Sequence, residues 1–192
     1  MQVFGNHNLM NMNGARLLAN QLGINDDDFF QGMTSFKGAA RRLELIASSD
    51  NLVIYKDFAH SPSKLKATTD AVKKQFEGRT IIACMELHTF SSLNEDFLIQ
   101  FEGAMDAADE AIVYFNPKTI AHKKLNPITP EQVKKAFKRK DLQIFTDALL
   151  LKEYLLSKHY TNHVLLIMTS GNFDGINLKE FAVALVKLSI TA

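Results

Sequence analysis

The chain has no tryptophan and a single cysteine, Cys84, among its 192 residues. An intrachain disulfide is impossible, so a packed core must carry the fold, and the scarcity of thiols fits a reducing cytoplasm. Net charge is missing as well: 22 Lys and Arg stand against 21 Asp and Glu. No basic tract interleaves with aromatic residues, so nucleic acid is not an expected partner. No apolar run approaches the roughly 20 residues of a membrane span. The start, Met1-Gln-Val-Phe-Gly-Asn-His7, lacks the basic and apolar regions of a secretory leader. A soluble cytoplasmic protein is expected, with no membrane partner.

Catalytic signatures are equally scarce. GxSxG, CxxC, GxGxxG, GxxxxGK[ST] and HExxH do not occur. The six histidines, at 7, 60, 88, 122, 159 and 163, carry no strong metal motif, and no metal ligands are expected. What the chain does have is an apolar fraction of 46%, ordinary for a globular protein and sufficient for one sizeable core.

The clearest order runs from Asn51 onward. Apolar runs at 52–56, 80–86, 110–115, 142–146 and 163–169 read as strands, each followed by a helical pattern. The helices are expected at 62–76, 94–107, from Pro130, at 147–157 and near the end, with a long loop between Asn116 and Pro127. Ser61 reads as the N-cap and Pro62 as the first residue of the 62–76 helix, and Thr129 with Gln132 as a capping box. Leu149, Leu150, Tyr154 and Leu155 are expected to be buried, as are Leu178, Phe181, Leu185 and Leu188. Five strand–helix pairs predict an α/β fold, Rossmann-like, with a mostly parallel sheet and helices on both faces.

The first part of the chain is plainer. Residues 2–4 resemble a strand end. A helix is expected over about 8–22, with Leu9, Met12, Leu17, Leu18 and Leu22 on its apolar side, and a second over about 27–33. Phe36 to Glu44 has no clean period, passes into Ala47-Ser-Ser-Asp50, and reads as a linker. Its two arginines, Arg41 and Arg42, suit a solvated basic turn or an anion.

In a parallel sheet the strand C-termini share one rim, where ligands bind. Asp57, Glu86 with His88, Asn116, Asp147, and Thr169 with Ser170 fall there. The loop Ser170-Gly-Asn-Phe-Asp-Gly175 suits either a turn or a nest for an anion.

Three segments in order add a family resemblance: Gly5-Asn-His-Asn-Leu-Met-Asn-Met-Asn-Gly-Ala15, Phe36-Lys-Gly-Ala-Ala-Arg-Arg-Leu-Glu44, and Asp57-Phe-Ala-His-Ser-Pro62. Together they resemble the Mur ligase family, ATP-dependent amide-bond ligases of peptidoglycan metabolism. The likeness covers the C-terminal domain and the tail of the central ATPase domain. It implies that residues 1–46 are the central-domain remnant and hinge, and 47–192 the C-terminal domain. The P-loop and the magnesium ligands would lie in a part of the parent absent here, so the fragment alone is expected to be inactive and to hold no catalytic residue. Asp-Phe-Ala-His, Arg-Arg-Leu-Glu and Ser-Gly-Asn-Phe-Asp-Gly-Ile are most similar to the members that rejoin a salvaged L-Ala-γ-D-Glu-meso-Dap peptide to UDP-N-acetylmuramate. The alternatives are the members that add L-alanine, and a non-enzymatic Rossmann-like module that binds a nucleotide or peptide.

By motif position the resemblance assigns His7, Asn8, Asn11, Arg42 and Asp57 to ATP. Asn8 and Asn11 would meet adenine, Arg42 the ribose or phosphates, and Asp57 the ribose hydroxyls. His60, His88, Ser170 and Asn172 are the candidates for the peptide-facing edge. Two departures stand out: Ser61 replaces a second histidine, and Glu86-Leu-His88 stands where related ligases carry an arginine for the substrate carboxylate.

Overall fold

A computed structural model describes residues 4–36, 38–39 and 42–191. The strands β1 (Glu44–Ser48), β2 (Leu52–Asp57), β3 (Thr80–Glu86), β4 (Glu110–Tyr114), β5 (Gln143–Phe145) and β6 (His163–Met168) form one sheet. Their order is β1-β2-β6-β3-β4-β5, with only the β1–β2 pair antiparallel. The expected α/β architecture is the observed one.

A strand covered on both sides must be apolar on both sides, and β3 is. Ile81, Ala83 and Met85 enter one core with Leu65 and Val72 of α3 (Pro62–Gln75), Leu98 of α4 (Glu95–Leu98), and Val133 and Phe137 of α6 (Pro130–Phe137). Ile82 and Cys84 enter the other, with Leu151 and Leu155 of α7 (Ala148–Ser157) and Phe181 and Leu185 of α8 (Leu178–Thr191). The chain steps outward from β2 to β3, β4 and β5, then returns to insert β6 between β2 and β3. The loops leaving β3 and β6 therefore depart toward opposite faces, which opens a crevice between two adjacent strand ends.

Several elements differ from expectation. β1 lies in the stretch read as linker and supplies an antiparallel edge, so a domain division at 46/47 would fall within a paired strand. The helix expected over 94–107 stops early. It ends at Leu98, is followed by a 3-10 turn over Ile99–Phe101, and Gly103 then takes a left-handed φ of +70°, which breaks any continuation. The loop after β4 contains α5 (Pro117–His122), started by Asn116, whose side chain accepts the Lys118 N–H at 2.8 Å.

In α7 the phase differs. Asp147 caps the helix through the Leu149 N–H at 2.7 Å, which turns Ala148, Leu151 and Leu155 inward and leaves Leu149 and Leu150 67% and 57% exposed. Leu188 of α8 is likewise exposed. Ser61 occupies the N-cap position of α3 without a side-chain capping bond, whereas the Thr129–Gln132 capping box forms in full.

The front segment comprises α1 (Asn6–Gln21) and α2 (Asp26–Met33), joined by an Arg16–Asp26 pair at 2.8 Å. It docks through Phe4, whose ring meets Tyr55 and Phe76 edge-on at 5.7 and 6.0 Å. Gly5 permits the approach: a Cβ there would lie 2.8 Å from Ala71 Cβ, and its φ is +91°. The intended apolar side of α1 is open, with Leu9, Leu17, Leu18 and Leu22 all exposed. Of the strand end expected at 2–4, residues 2 and 3 lie outside the described residues, and Phe4 is not in a strand.

Candidate functional site

The N-terminus of α1, the turn before β1 and the β2–α3 junction converge on one cleft. His7, Asn8, Asn11, Arg42 and Asp57, drawn from three separated segments, all line this space of about 340 Å³, together with Ser63 and Lys64 of α3. A second cavity of about 430 Å³ shares Asn8, Asn11 and Arg42 as its wall and is otherwise largely apolar, with Phe4, Met12, Met33 and Phe36 around it. A polar chamber thus adjoins an apolar one. Arg41 lies outside the described residues; Arg42 is exposed at the cleft.

Asp57 ends β2 and is 8% exposed. Burial raises its carboxyl pKa, opposed by the backbone N–H groups of Leu43 and Ala59 and by the charges of His7 and Arg42. Its Oδ2 accepts the Leu43 N–H at 2.6 Å. Asn8 donates through Nδ2 to the Phe4 carbonyl at 2.9 Å, which orients its amide oxygen away from that bond.

The remaining candidates are dispersed along the rim. His60 turns back on its own loop, its Nδ1 2.8 Å from the Phe58 carbonyl and its ring against Phe58. A carbonyl only accepts, so Nδ1 carries the proton there. Asn172 accepts the Gly175 N–H at 3.1 Å, the geometry of a side-chain turn. His88 meets Glu86 in the β3/β6 crevice, its Nδ1 3.5 Å from Glu86 Oε1, and Ser170 stands in the chain between Thr169 and Gly171, which both adjoin Glu86. The Ser170 hydroxyl is buried, with no hydrogen-bond partner among the described residues.

A further groove of about 830 Å³ lies where β4 and β5 end, bordered by Asn116, Lys118, Asp147, Asp174 and Asn177. Sequence reading placed Asn116 and Asp147 on the rim without seeing that the β6–α8 loop closes a groove over them. Glu86 was likewise placed on the rim but given no role. Its only signal was a carboxylate ending an otherwise apolar strand.

Among the described residues, no group of three or more His, Cys, Asp or Glu side chains could hold a metal ion. His159 and His163, spaced four apart, do not share a helix: His163 begins β6, and its Nδ1 accepts the Thr161 N–H. No helix of the described residues is long and apolar enough to cross a membrane.

A UDP-N-acetylmuramate–L-alanine ligase of Caldicellulosiruptor bescii is 35% identical over 113 residues, 59% of this chain and 24% of that protein. The chain thus spans about a quarter of the length of the curated relatives it matches. Among solved structures, the UDP-N-acetylmuramate–alanine ligase of Thermotoga maritima superposes with a TM-score of 0.73 at 19% identity, covering 98% of this chain and 39% of that one. A murein peptide ligase of Psychrobacter arcticus superposes with a TM-score of 0.66 at 23% identity, over 95% and 37%. At these identities the superpositions speak for the fold. Residues 41–171 match the family model described as "Mur ligase, glutamate ligase domain", and the chain belongs to the Mur ligase family.

Proposed function

We propose that this chain is the part of an ATP-dependent amide-bond ligase that closes over the nucleotide and presents the incoming amine, and that the parent is a UDP-N-acetylmuramate:L-alanyl-γ-D-glutamyl-meso-diaminopimelate ligase of peptidoglycan recycling. The observation that carries the reading is the convergence of His7, Asn8, Asn11, Arg42 and Asp57 on one cleft. The chemistry of that cleft suits ATP. The apolar chamber, walled by Phe4 and Phe36, accepts a flat base, while the Asn8 and Asn11 amides offer donors and acceptors to its edge. Asp57 can accept from ribose hydroxyls, and Arg42 and Lys64 supply positive charge for phosphate oxygens. Among the described residues, no group of three or more His, Cys, Asp or Glu side chains could hold a metal ion.

In this reading the muramate carboxylate attacks the γ-phosphorus of ATP and ADP leaves. The resulting acyl phosphate is attacked by the peptide amine, which loses a proton as phosphate departs. The chain's share is positioning. His60, His88, Ser170 and Asn172 form the peptide-facing edge. β3, whose end leads into His88, lies two strands from β2, whose end is Asp57, about 10 Å across the sheet, a separation suited to a nucleotide on one side and an acceptor peptide on the other.

A second reading has its own support, since the C. bescii relative is an L-alanine ligase. A ligation assay of the parent ligase decides. UDP-N-acetylmuramate and ATP are supplied with either tripeptide or L-alanine, and amide formation and ADP release are followed. Preference for tripeptide is expected. Preference for L-alanine establishes the second reading, and the absence of both ADP release and amide formation with either amine leaves a binding module.

A further inference from the structure

The β3/β6 crevice holds a carboxylate that sequence patterning gives no reason to bury. Glu86 is 3% exposed, at the last position of β3. An ionised carboxylate is retained in such a place only when hydrogen bonds and charge compensate for the lost water. Here Oε2 accepts the Thr169 hydroxyl and, at 3.1 Å, the Phe173 N–H. Thr169 Oγ1 in turn accepts the Gly171 N–H at 2.7 Å. A single side chain at the tip of β3 thus secures two points of the loop leaving β6 directly, and a third through Thr169. The two loops depart to opposite faces, so nothing in the sheet ladder itself sets their separation.

Glu86 also faces His88. Its Oε1 lies 3.5 Å from His88 Nδ1, and among the described residues His88 is its only ionisable partner within ion-pair range. That contact leaves Nε2 on the far side of a ring whose side chain is 36% exposed. Gly171 completes the arrangement: a Cβ there would stand 2.7 Å from Glu86 Oε2 and 2.8 Å from His88 Cγ. The imidazole is therefore packed between a fixed carboxylate and bare backbone. Ser170, one residue away, keeps its buried hydroxyl without a partner among the described residues.

We propose that Glu86 is a positioning residue for the amine-bearing substrate: it sets the His88 imidazole and the 169–173 loop at the mouth of the crevice. This rests on the ligase reading above. Glu86 touches no reacting atom, and its effect passes through His88 and the loop.

The test has two arms. In the parent ligase, Glu86→Gln, His88→Ala and the double variant are compared with wild type, varying the peptide amine and ATP separately. Glu86→Gln keeps an oxygen for the Phe173 N–H but removes the charge facing His88. The KM for the amine should rise about tenfold or more, the KM for ATP should stay within about twofold, and the double variant should be no worse than the more impaired single. Unchanged amine KM, parallel changes in both KM values, or multiplicative effects of the two substitutions would overturn the proposal.

The second arm needs no activity. In the labelled chain, NMR contacts between the His88 ring and the Gly171 α-protons should be present in wild type and lost in Glu86→Ala, with the sheet's own contacts intact. Persistence of those ring contacts in Glu86→Ala would overturn the positioning role. A wild-type parent that forms no amide bond while the ring contacts depend on Glu86 would count against the ligase reading alone.

Discussion

Asp57 holds Leu43 in place: its Oδ2 accepts the Leu43 N–H at 2.6 Å while Leu43 sits at a left-handed φ of +48°. Residues with branched side chains rarely adopt that conformation, and an outlier of this kind survives only where its surroundings fix it. The carboxylate at the end of β2 thus sets the direction in which the chain enters β1, between the two-helix segment and the sheet. Asp57→Ala would leave the Leu43 N–H unpaired in a partly buried place, at a cost of about 1–3 kcal/mol. Chemical denaturation should show the loss, and a midpoint equal to wild type would remove Asp57 from this role.

The same carboxylate predicts a pH dependence. Burial raises its folded pKa above the ordinary 3.8. The folded chain therefore binds this proton more tightly than the unfolded chain does, and stability falls as pH rises from about 3.8 through the folded value, then levels off. Asp57→Asn does not titrate. Melting temperatures followed from acid toward neutrality should show wild type losing ground to Asp57→Asn; a gain would contradict the assignment of burial as the dominant cause.

Arg42 lines the cleft from an exposed position, so its removal should spare the fold. Arg42→Ala is expected to change stability by no more than about 0.5 kcal/mol. In the parent ligase it should cost about 1.5–3 kcal/mol of nucleotide affinity, the worth of a charged hydrogen bond. That corresponds to a KM for ATP raised about ten- to hundredfold, read from initial rates. An unaltered KM would take Arg42 out of the nucleotide site.

Gly171→Ala tests the crowding at the crevice. The added methyl would meet Glu86 Oε2 at 2.7 Å and His88 Cγ at 2.8 Å, and Glu86 is bonded to a neighbouring strand end and cannot simply swing away. A loss of about 1–3 kcal/mol is expected from overpacking, measured by urea unfolding. Full stability would mean that the β6 loop shifts freely.

Tyr114 offers the opposite sign. Its ring stacks on Phe173 at 5.6 Å, and its hydroxyl is buried without a hydrogen-bond partner among the described residues. Burial and the nearby Asp174 and Glu86 push its pKa up to about 12, opposed by the neighbouring Asn116 side chain, which does not reach hydrogen-bonding geometry with the hydroxyl. Tyr114→Phe should therefore be neutral or stabilising by up to about 1 kcal/mol, since it removes a desolvated group. A marked fall in melting temperature would reveal a partner for that hydroxyl.

The parallel strands were legible because strands covered on both faces become continuous apolar runs, as in 80–86 and 163–168. β1 was not, because an edge strand with one covered face reads Glu-Leu-Ile-Ala-Ser and differs little from a loop. Helix phase was only partly legible. In Ala148-Leu-Leu-Leu, apolar residues stand at every phase, and the side-chain cap at Asp147 decides which of them face the sheet. The cleft residues surfaced through motif resemblance, since nothing in local pattern ties His7 to Asp57. Glu86 was legible as a rim residue, but its role was not, because its partners are Thr169 and Phe173, more than eighty positions away.

The late arrival of β6 bears on how the domain is made. Its neighbours β2 and β3 are complete by residue 86, yet they cannot pair with one another, because the slot between them is reserved for a strand that begins at His163. Closure of the sheet must wait for nearly the whole chain, which imposes long-range contacts and slow folding. During synthesis two apolar edges would stand open side by side, and a chain stopped short of residue 163 would keep them so, inviting aggregation in place of assembly.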